Sequence, residues 1–254
     1  MIAFGWKQTF TSIIIIVNNL LKTLNPAMSG SGGVVVIALI LAALTVGCSA
    51  TNQMNFKTER TSISLGPDDL AKYGIGFLTP SAATGREADK QPLAMSFALQ
   101  LQEMRPEIRV IPLPAVLTAV NAADLDAEYK QMYRDYLETG ILEGSILQDV
   151  SEVAEVRYLV QLSLSSFSQR STGRWGFLGL RILHTEIATL RVFTQIWDAQ
   201  EGAIAWEGFT EMSMAYDTTK ERPVAFAKAA EVAAEKLFCC LPGSTNTDPY
   251  PEDE

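Results

Sequence analysis

From Tyr158 onward the spacing of apolar residues changes from 3.6 to 2, and this change most restricts what the chain can become. Tyr158, Val160, Leu162 and Leu164 alternate with Gln161, Ser163 and Ser165, the pattern of a strand that buries one face. Two further alternating stretches, Glu186–Asp198 and Ala203–Tyr216, are joined by Asp198-Ala-Gln-Glu-Gly202. Asp opens a turn and Gly202 supplies a positive φ before the return, so the pair reads as a hairpin. On the return strand Ile204, Trp206, Met212 and Met214 are expected on one face, and Glu207 and Glu211 on the other. The result is an antiparallel meander with an apolar face that helices from elsewhere in the chain must cover.

Those helices and the remaining strands are legible on either side. Gly74–Leu78 is a short apolar run stopped by Thr79-Pro80, which suits a buried strand. Ser81–Lys90 reads as a loop, and Pro92 as a first-turn residue of a helix whose inner face is Leu93, Phe97, Leu101 and Met104, ended by Pro106. Ile108–Leu113 reads as a strand and Pro114 opens a short helix. Asp124–Glu138 is amphipathic, with a stripe of Leu125, Tyr129, Met132, Tyr133, Tyr136 and Leu137, and with Gly140 ending it. The tyrosines are expected to bury their rings and keep their hydroxyls wet, with a partner surface as the alternative use. Ser145 and Gln148 are spaced as a capping box for the next helix, whose inner edge is Leu147, Val150 and Ala154. A last helix from Pro223 presents Phe226, Ala230, Ala234 and Leu237 and stops at Leu241-Pro242-Gly243. The expected fold is α/β (α+β): a single three-layer domain over 73–242. Its mixed sheet has about five strands, ends in the antiparallel meander and is flanked by helices, the C-terminal one packed on it.

The amino-terminal end carries a different message. Val34–Val46 is a run of thirteen apolar or near-apolar residues followed by Gly47, Cys48 and Ser49. A membrane-spanning helix needs about 20. The run fits the apolar core of a secretory signal with a small residue before the cut, and the cysteine behind it resembles a bacterial lipobox. Residues 1–47 are then a signal peptide cut between Gly47 and Cys48, and Cys48 is the lipidated (palmitate-bearing) first residue of the mature chain. Thr45, three residues before the cysteine, stands where such boxes usually have Leu, and Leu44 is one place earlier. Met28 is an alternative start that shortens the leader, although Lys7 and Lys22 supply its positive charge only from Met1. An uncleaved membrane helix is the competing reading. Ser49 rather than Asp after the cysteine resembles lipoproteins sent to the outer membrane. Two acyl chains, at about 0.8 kcal/mol per buried methylene, anchor stably where one is marginal. Residues 48–72, polar and aperiodic apart from a possible strand at Thr61–Leu65, read as a tether; 243–254 reads as a disordered acidic tail.

Charge narrows the partners. Without Lys7 and Lys22 the chain has 18 Lys and Arg against 29 Asp and Glu, a net of −11. That balance disfavours nucleic acid and broad adsorption to anionic lipid. Motifs for chemistry are sparse. Neither a P-loop nor a dinucleotide glycine fingerprint occurs, and Ser29–Gly33 lies in the leader. His184 is the only histidine, and it reads as a surface or capping residue. Cys239 and Cys240 are adjacent, so they imply no disulfide framework and read as small apolar residues at a helix end. Glu207 and Glu211 are the one pair that could serve a hydrolase, although a solvated strand face is the simpler account. No cofactor, metal or catalytic residue is expected. One segment does stand out. Arg170–Arg181 joins two strands and combines Arg170, Arg174 and Arg181 with Trp175, Phe177, Leu178 and Leu180, spaced by glycines. As an exposed loop it suits a protein groove or the lipid interface, where Trp and Arg are favoured; the alternative is a loop folded over an open end of the core.

The element order, together with GIGFLTP at Gly74–Pro80, SEVAEVRYLVQLSL at Ser151–Leu164 and RVFTQIWDAQEGAIAWEG at Arg191–Gly208, resembles a group of bacterial envelope lipoproteins. The group includes the curli-secretion lipoprotein CsgG, the penicillin-binding-protein activator LpoB and the N-terminal domain of TolB, with a core similar to the anticodon-binding α/β fold. The resemblance covers Tyr73 to Leu241. It implies non-enzymatic work: an accessory module that activates or assembles an envelope machine by binding an envelope protein, or else a component of a secretion channel. A channel needs transmembrane strands of about 9–11 residues, and as a loop Arg170–Arg181 is too short to supply them.

Overall fold

The computed structural model describes residues 53–83, 85–177, 180–218 and 226–244, with the backbone alone at 172–177, 180–184 and 216–218. The leader with Gly47 and Cys48, the alternative start Met28, and residues 245–254 lie outside the described residues.

The expected meander is present and longer than its sequence pattern. Strand β5 (Tyr158–Phe177) pairs antiparallel with β6 (Leu180–Asp198), and β6 with β7 (Ala203–Thr218). Gly202 takes φ 62° in the turn, as its position requires. Strand β2 (Ile75–Phe77) lies parallel to both β5 and the two-residue β4 (Val110–Ile111), while β3 (Ser81–Ala82) pairs with β5 beyond β2.

The polar stretch expected as a tether is largely folded. Strand β1 (Gln53–Ser62) pairs along its whole length with β7, Leu65 and Leu70 are buried in the core, and Asp69–Tyr73 forms a short helix, α1. The domain therefore begins well before Tyr73. β1 is nearly devoid of apolar residues, so periodicity could not show it; backbone pairing holds it in place. The seven-stranded sheet runs β1-β7-β6-β5-β2-β4 with β3 beside β5, two strands more than expected.

Helices cover both faces of the sheet. On one face lie α2 (Glu87–Met104) and the C-terminal helix α6 (Phe226–Phe238). Leu93, Phe97 and Leu101 of α2 and the alanines of α6 enclose Val160, Leu162, Leu190, Val192, Trp206 and Met212. On the other face α3 (Leu113–Ala122), α4 (Asp126–Thr139) and α5 (Gly144–Val153) bury Leu159 and Trp197 beneath Val116, Met132, Leu147 and Val150. This is the expected three-layer arrangement.

Local differences have local causes. Helix α2 starts five residues ahead of Pro92, which becomes an interior proline; burial of three large side chains outweighs its missing hydrogen bond. Ser145 does not cap α5, because the helix already begins at Gly144 with Glu143 at the cap position, and the Ser145 hydroxyl donates to the Glu143 carboxylate at 3.0 Å. Gly140 ends α4 in the left-handed region as expected. On β7 the ladder shifts between Ile196↔Trp206 and Trp197↔Ile204. That bulge turns Ile204 to the face opposite Trp206, contrary to the shared face read from strict alternation.

Candidate functional site

Within Arg170–Arg181, residues 170–177 and 180–181 are strand rather than loop. The β5–β6 ladder continues through Arg170↔Ile187, Gly173↔His184 and Trp175↔Leu183 to Phe177↔Leu180, with register shifts on both sides of Trp175. From Ser168 to Arg174 the sequence has no apolar residue and so no two-residue period, which left pairing there invisible to pattern reading. Among the residues whose side chains are described, Ser168–Ser171 of β5 and Thr185–Ile187 of β6 belong to neither apolar cluster, although Thr185 and Glu186 are buried. Ten residues of β5 lie beyond Phe167, about 33 Å of strand at the usual rise. Ser168, Gln169, Arg170 and Ser171 are exposed, and β7 accompanies the hairpin as far as His184↔Thr218. Arg170 thus stands on the shaft of a β arm, and Arg174, Trp175, Phe177 and Arg181 are sited at its far end by register.

Glu207 and Glu211 each face a cross-strand neighbour on β6. The Gln195 amide donates to Glu207 at 3.0 Å, and Arg191 donates to Glu211 at 2.9 Å. Four residues along a strand separate their backbones by about 13 Å, and neither glutamate lines a described cleft. Their geometry is that of a solvated sheet face, without the shared pocket a glycosidase-like pair requires.

The tyrosines of α4 are structural. Tyr129 and Tyr136 are buried while Leu137 is exposed. The Tyr129 hydroxyl accepts the Thr79 amide at 2.9 Å, and the Tyr133 hydroxyl donates to the Pro80 carbonyl at 2.8 Å and accepts from Lys90 at 2.9 Å. Their hydroxyls pin the chain leaving β2. Burial pushes the Tyr129 and Tyr136 hydroxyls above the ordinary tyrosine value.

Pattern reading missed a cleft of about 320 Å³ at the amino ends of β2 and β5, where Lys72, Tyr73, Arg109, Gln148, Glu155 and Arg157 converge. Its cations are engaged. Arg157 holds Asp198 with two hydrogen bonds of 2.9 and 2.6 Å and lies 5.1 Å from the Tyr73 ring. Arg109 donates to the Glu155 carbonyl and faces its carboxylate at 3.5 Å. The Lys72 ammonium sits 4.6 Å over Tyr73 and, by hydrogen bond and charge, holds its hydroxyl below the usual range. These residues come from separate elements, so no sequence motif links them. Among the described residues there is no cluster of side chains able to hold a metal ion, and no helix is long and apolar enough to cross a membrane. Cys239 is buried and Cys240 exposed, they form no disulfide, and the Cys239 thiol donates to the Lys236 carbonyl at 3.1 Å.

The described residues define a three-layer α/β domain with an extended β arm. No protein-family model and no curated protein matches the sequence. Solved structures similar to it include the PelC dodecamer from Paraburkholderia phytofirmans, 9% identical, covering 70% of this chain and 91% of that one at a TM-score of 0.40. The lipoprotein GNA1162 from Neisseria meningitidis is 13% identical, covering 64% of this chain and 94% of that one at a TM-score of 0.33. Likeness at this level transfers no partner, activity or assembly to this chain.

Proposed function

We propose that this protein is a non-enzymatic accessory module of the bacterial cell envelope. It is lipid-anchored through Cys48, faces the periplasm from the outer membrane, and grips an envelope protein with the far end of its β5–β6 arm. The observation that supports the reading is the arm itself: a β5–β6 ladder that runs on past Phe167 to Phe177↔Leu180, with Arg174, Trp175, Phe177 and Arg181 in its last stretch. Trp and Arg are the residue types most often found as binding hot spots, typically worth about 2 kcal/mol or more when truncated. The engaged glutamates 207 and 211 weigh against a hydrolase.

A secretion-channel role is the second reading, and the arm bears on it. Its length meets the span of about 9–11 residues that a transmembrane strand needs. Its chemistry does not: Ser168 to Arg174 offers no alternating apolar residues for a lipid-facing band.

The test is a pull-down from envelope extract with the full chain, in which Trp175→Ala combined with Arg174→Ala is expected to abolish capture and leave the thermal melt nearly unchanged. A large drop in melting temperature would instead make these residues part of the core. Capture that survives both changes would place the interface elsewhere.

A further inference from the structure

Helix α6 ends at Phe238, and the next two residues are the adjacent cysteines. Had the helix continued, their side chains would project about 100° apart. In the turn they converge instead, with Cys239 Sγ 3.0 Å from Cys240 Sγ. One sulfur is held and the other is reachable. Cys239 is buried, and its thiol donates to the Lys236 carbonyl at 3.1 Å; Cys240 is exposed. The turn is fixed on both sides. The Cys239 amide donates to the Glu235 carbonyl at 3.1 Å, and Leu241 is buried in the core. The Pro242 carbonyl accepts Arg105, at the end of α2, at 3.4 Å. Gly243, at φ 78°, lies so close to the Pro67 carbonyl that a Cβ would collide with it. An accessible nucleophile with a second thiol in contact is what intramolecular thiol–disulfide exchange requires.

We propose that Cys239 and Cys240 are a reversible redox-modification site, which a low-molecular-weight disulfide such as oxidised glutathione closes into a disulfide between the two neighbours. The Cys240 thiolate attacks one sulfur of the oxidant, and the other half leaves as a thiolate, so Cys240 carries a mixed disulfide. Cys239 gives its proton to that thiolate, and its own sulfur attacks Cys240 Sγ and expels the second half. That half takes up a proton equivalent to the one Cys240 had released. Two protein thiols and one small disulfide thus become one protein disulfide and two small thiols. Closure gives up the weak S–H bond to the Lys236 carbonyl. Adjacent Cα atoms are about 3.8 Å apart, inside the usual disulfide span of about 4.4–6.8 Å, so the bond is strained and easily reduced. Strained, exposed disulfides are the labile and regulatory ones, so this pair responds to redox conditions where a structural bridge would not. The turn it stiffens leads directly into the contacts of 241–243 with Arg105 and Pro67. Neither the arm nor the lipid anchor enters this reasoning.

Peptide mapping of the full chain tests it. Trypsin cuts after Lys236, so the peptide 237–254 holds Cys239 and Cys240 and no other cysteine. Folded protein is incubated with oxidised glutathione, quenched in acid, and alkylated with N-ethylmaleimide in urea before digestion. The peptide is expected to be lighter than its reduced form by two hydrogens and to carry no maleimide. Excess reduced glutathione is expected to return it to the form that takes two maleimides. Closure in the folded chain is expected to be at least about tenfold faster than in urea, because the fold holds the two sulfurs together. Cys239→Ser is expected to leave Cys240 as a stable glutathione adduct, since no second thiol resolves it. Two maleimides on the wild-type peptide after oxidation, a mixed disulfide that persists at Cys240, a disulfide joining two copies, or equal rates with and without urea would each overturn the proposal.

Discussion

Asp198 shows how much one residue can hold. It was read from sequence as the residue that opens the β6–β7 turn, and its carboxylate does accept the Gln200 amide at 3.0 Å. The same carboxylate receives both hydrogen bonds of Arg157, whose guanidinium also lies 5.6 Å from the ring of Tyr158. Asp198 is nearly buried and Arg157 only partly, so removing the acid strands a cation in a poorly solvated place. Asp198→Ala is expected to cost about 2–3 kcal/mol in a urea titration, more than a turn residue alone would; a loss indistinguishable from zero would show that the pair contributes nothing. Tyrosines set the alkaline limit. Burial pushes the Tyr158 hydroxyl up to about 12, and raises Tyr129 and Tyr136 as well. A tyrosine raised in the folded state binds its proton more tightly there than in the unfolded chain. Its contribution is complete below pH 10 and is lost as pH climbs through its folded value. Stability should therefore fall between about pH 10 and 12, while absorbance of the native protein shows these three ionising later than Tyr73, whose hydroxyl Lys72 holds low. Simultaneous titration of all tyrosines near pH 10 with no loss of stability would contradict this.

At the scale of elements, the most constrained contact is between α2 and α6. Ala229, Ala230, Ala233 and Ala234 are fully buried, and Phe97 meets Phe238 edge-on at 5.6 Å between ring centroids. Small side chains let α6 lie close, which the alanine spacing in the sequence already indicated. Ala230→Leu is expected to destabilise by about 1–3 kcal/mol through overpacking, read as a lower melting temperature; an unchanged melt would mean that the layer has slack. The β5–β6 arm is the opposite case. Its β5 side is exposed and polar from Ser168 to Ser171, and on its β6 side the residues buried are the polar Thr185 and Glu186, so no apolar stripe marks its pairing. For that reason its residues read as a loop although they form a ladder. Ile204 shows a third kind of outcome: its strand was legible, but one bulge sent it to the other face.

For the whole molecule, compartment limits every partner. Intact-mass measurement of the mature protein is expected to find Cys48 as its first residue with acyl chains attached. An unprocessed leader or an unmodified Cys48 thiol would overturn the anchor and the localisation with it. What the sequence determined by itself was whatever repeats with a local period or depends on neighbouring residues: most helices, the alternating strands, and the turns at Gly140 and Gly202. Burial of an apolar stripe leaves a trace in composition. What only the tertiary structure decided was whatever rests on partners distant in the chain. β1 joined the sheet, the hairpin lengthened into an arm, Ile204 changed face, and Arg157 met Asp198, Tyr73 and Tyr158. Backbone pairing accepts almost any side chain, and an ion pair between separate elements has no spacing to read, so neither leaves a periodic mark on the sequence.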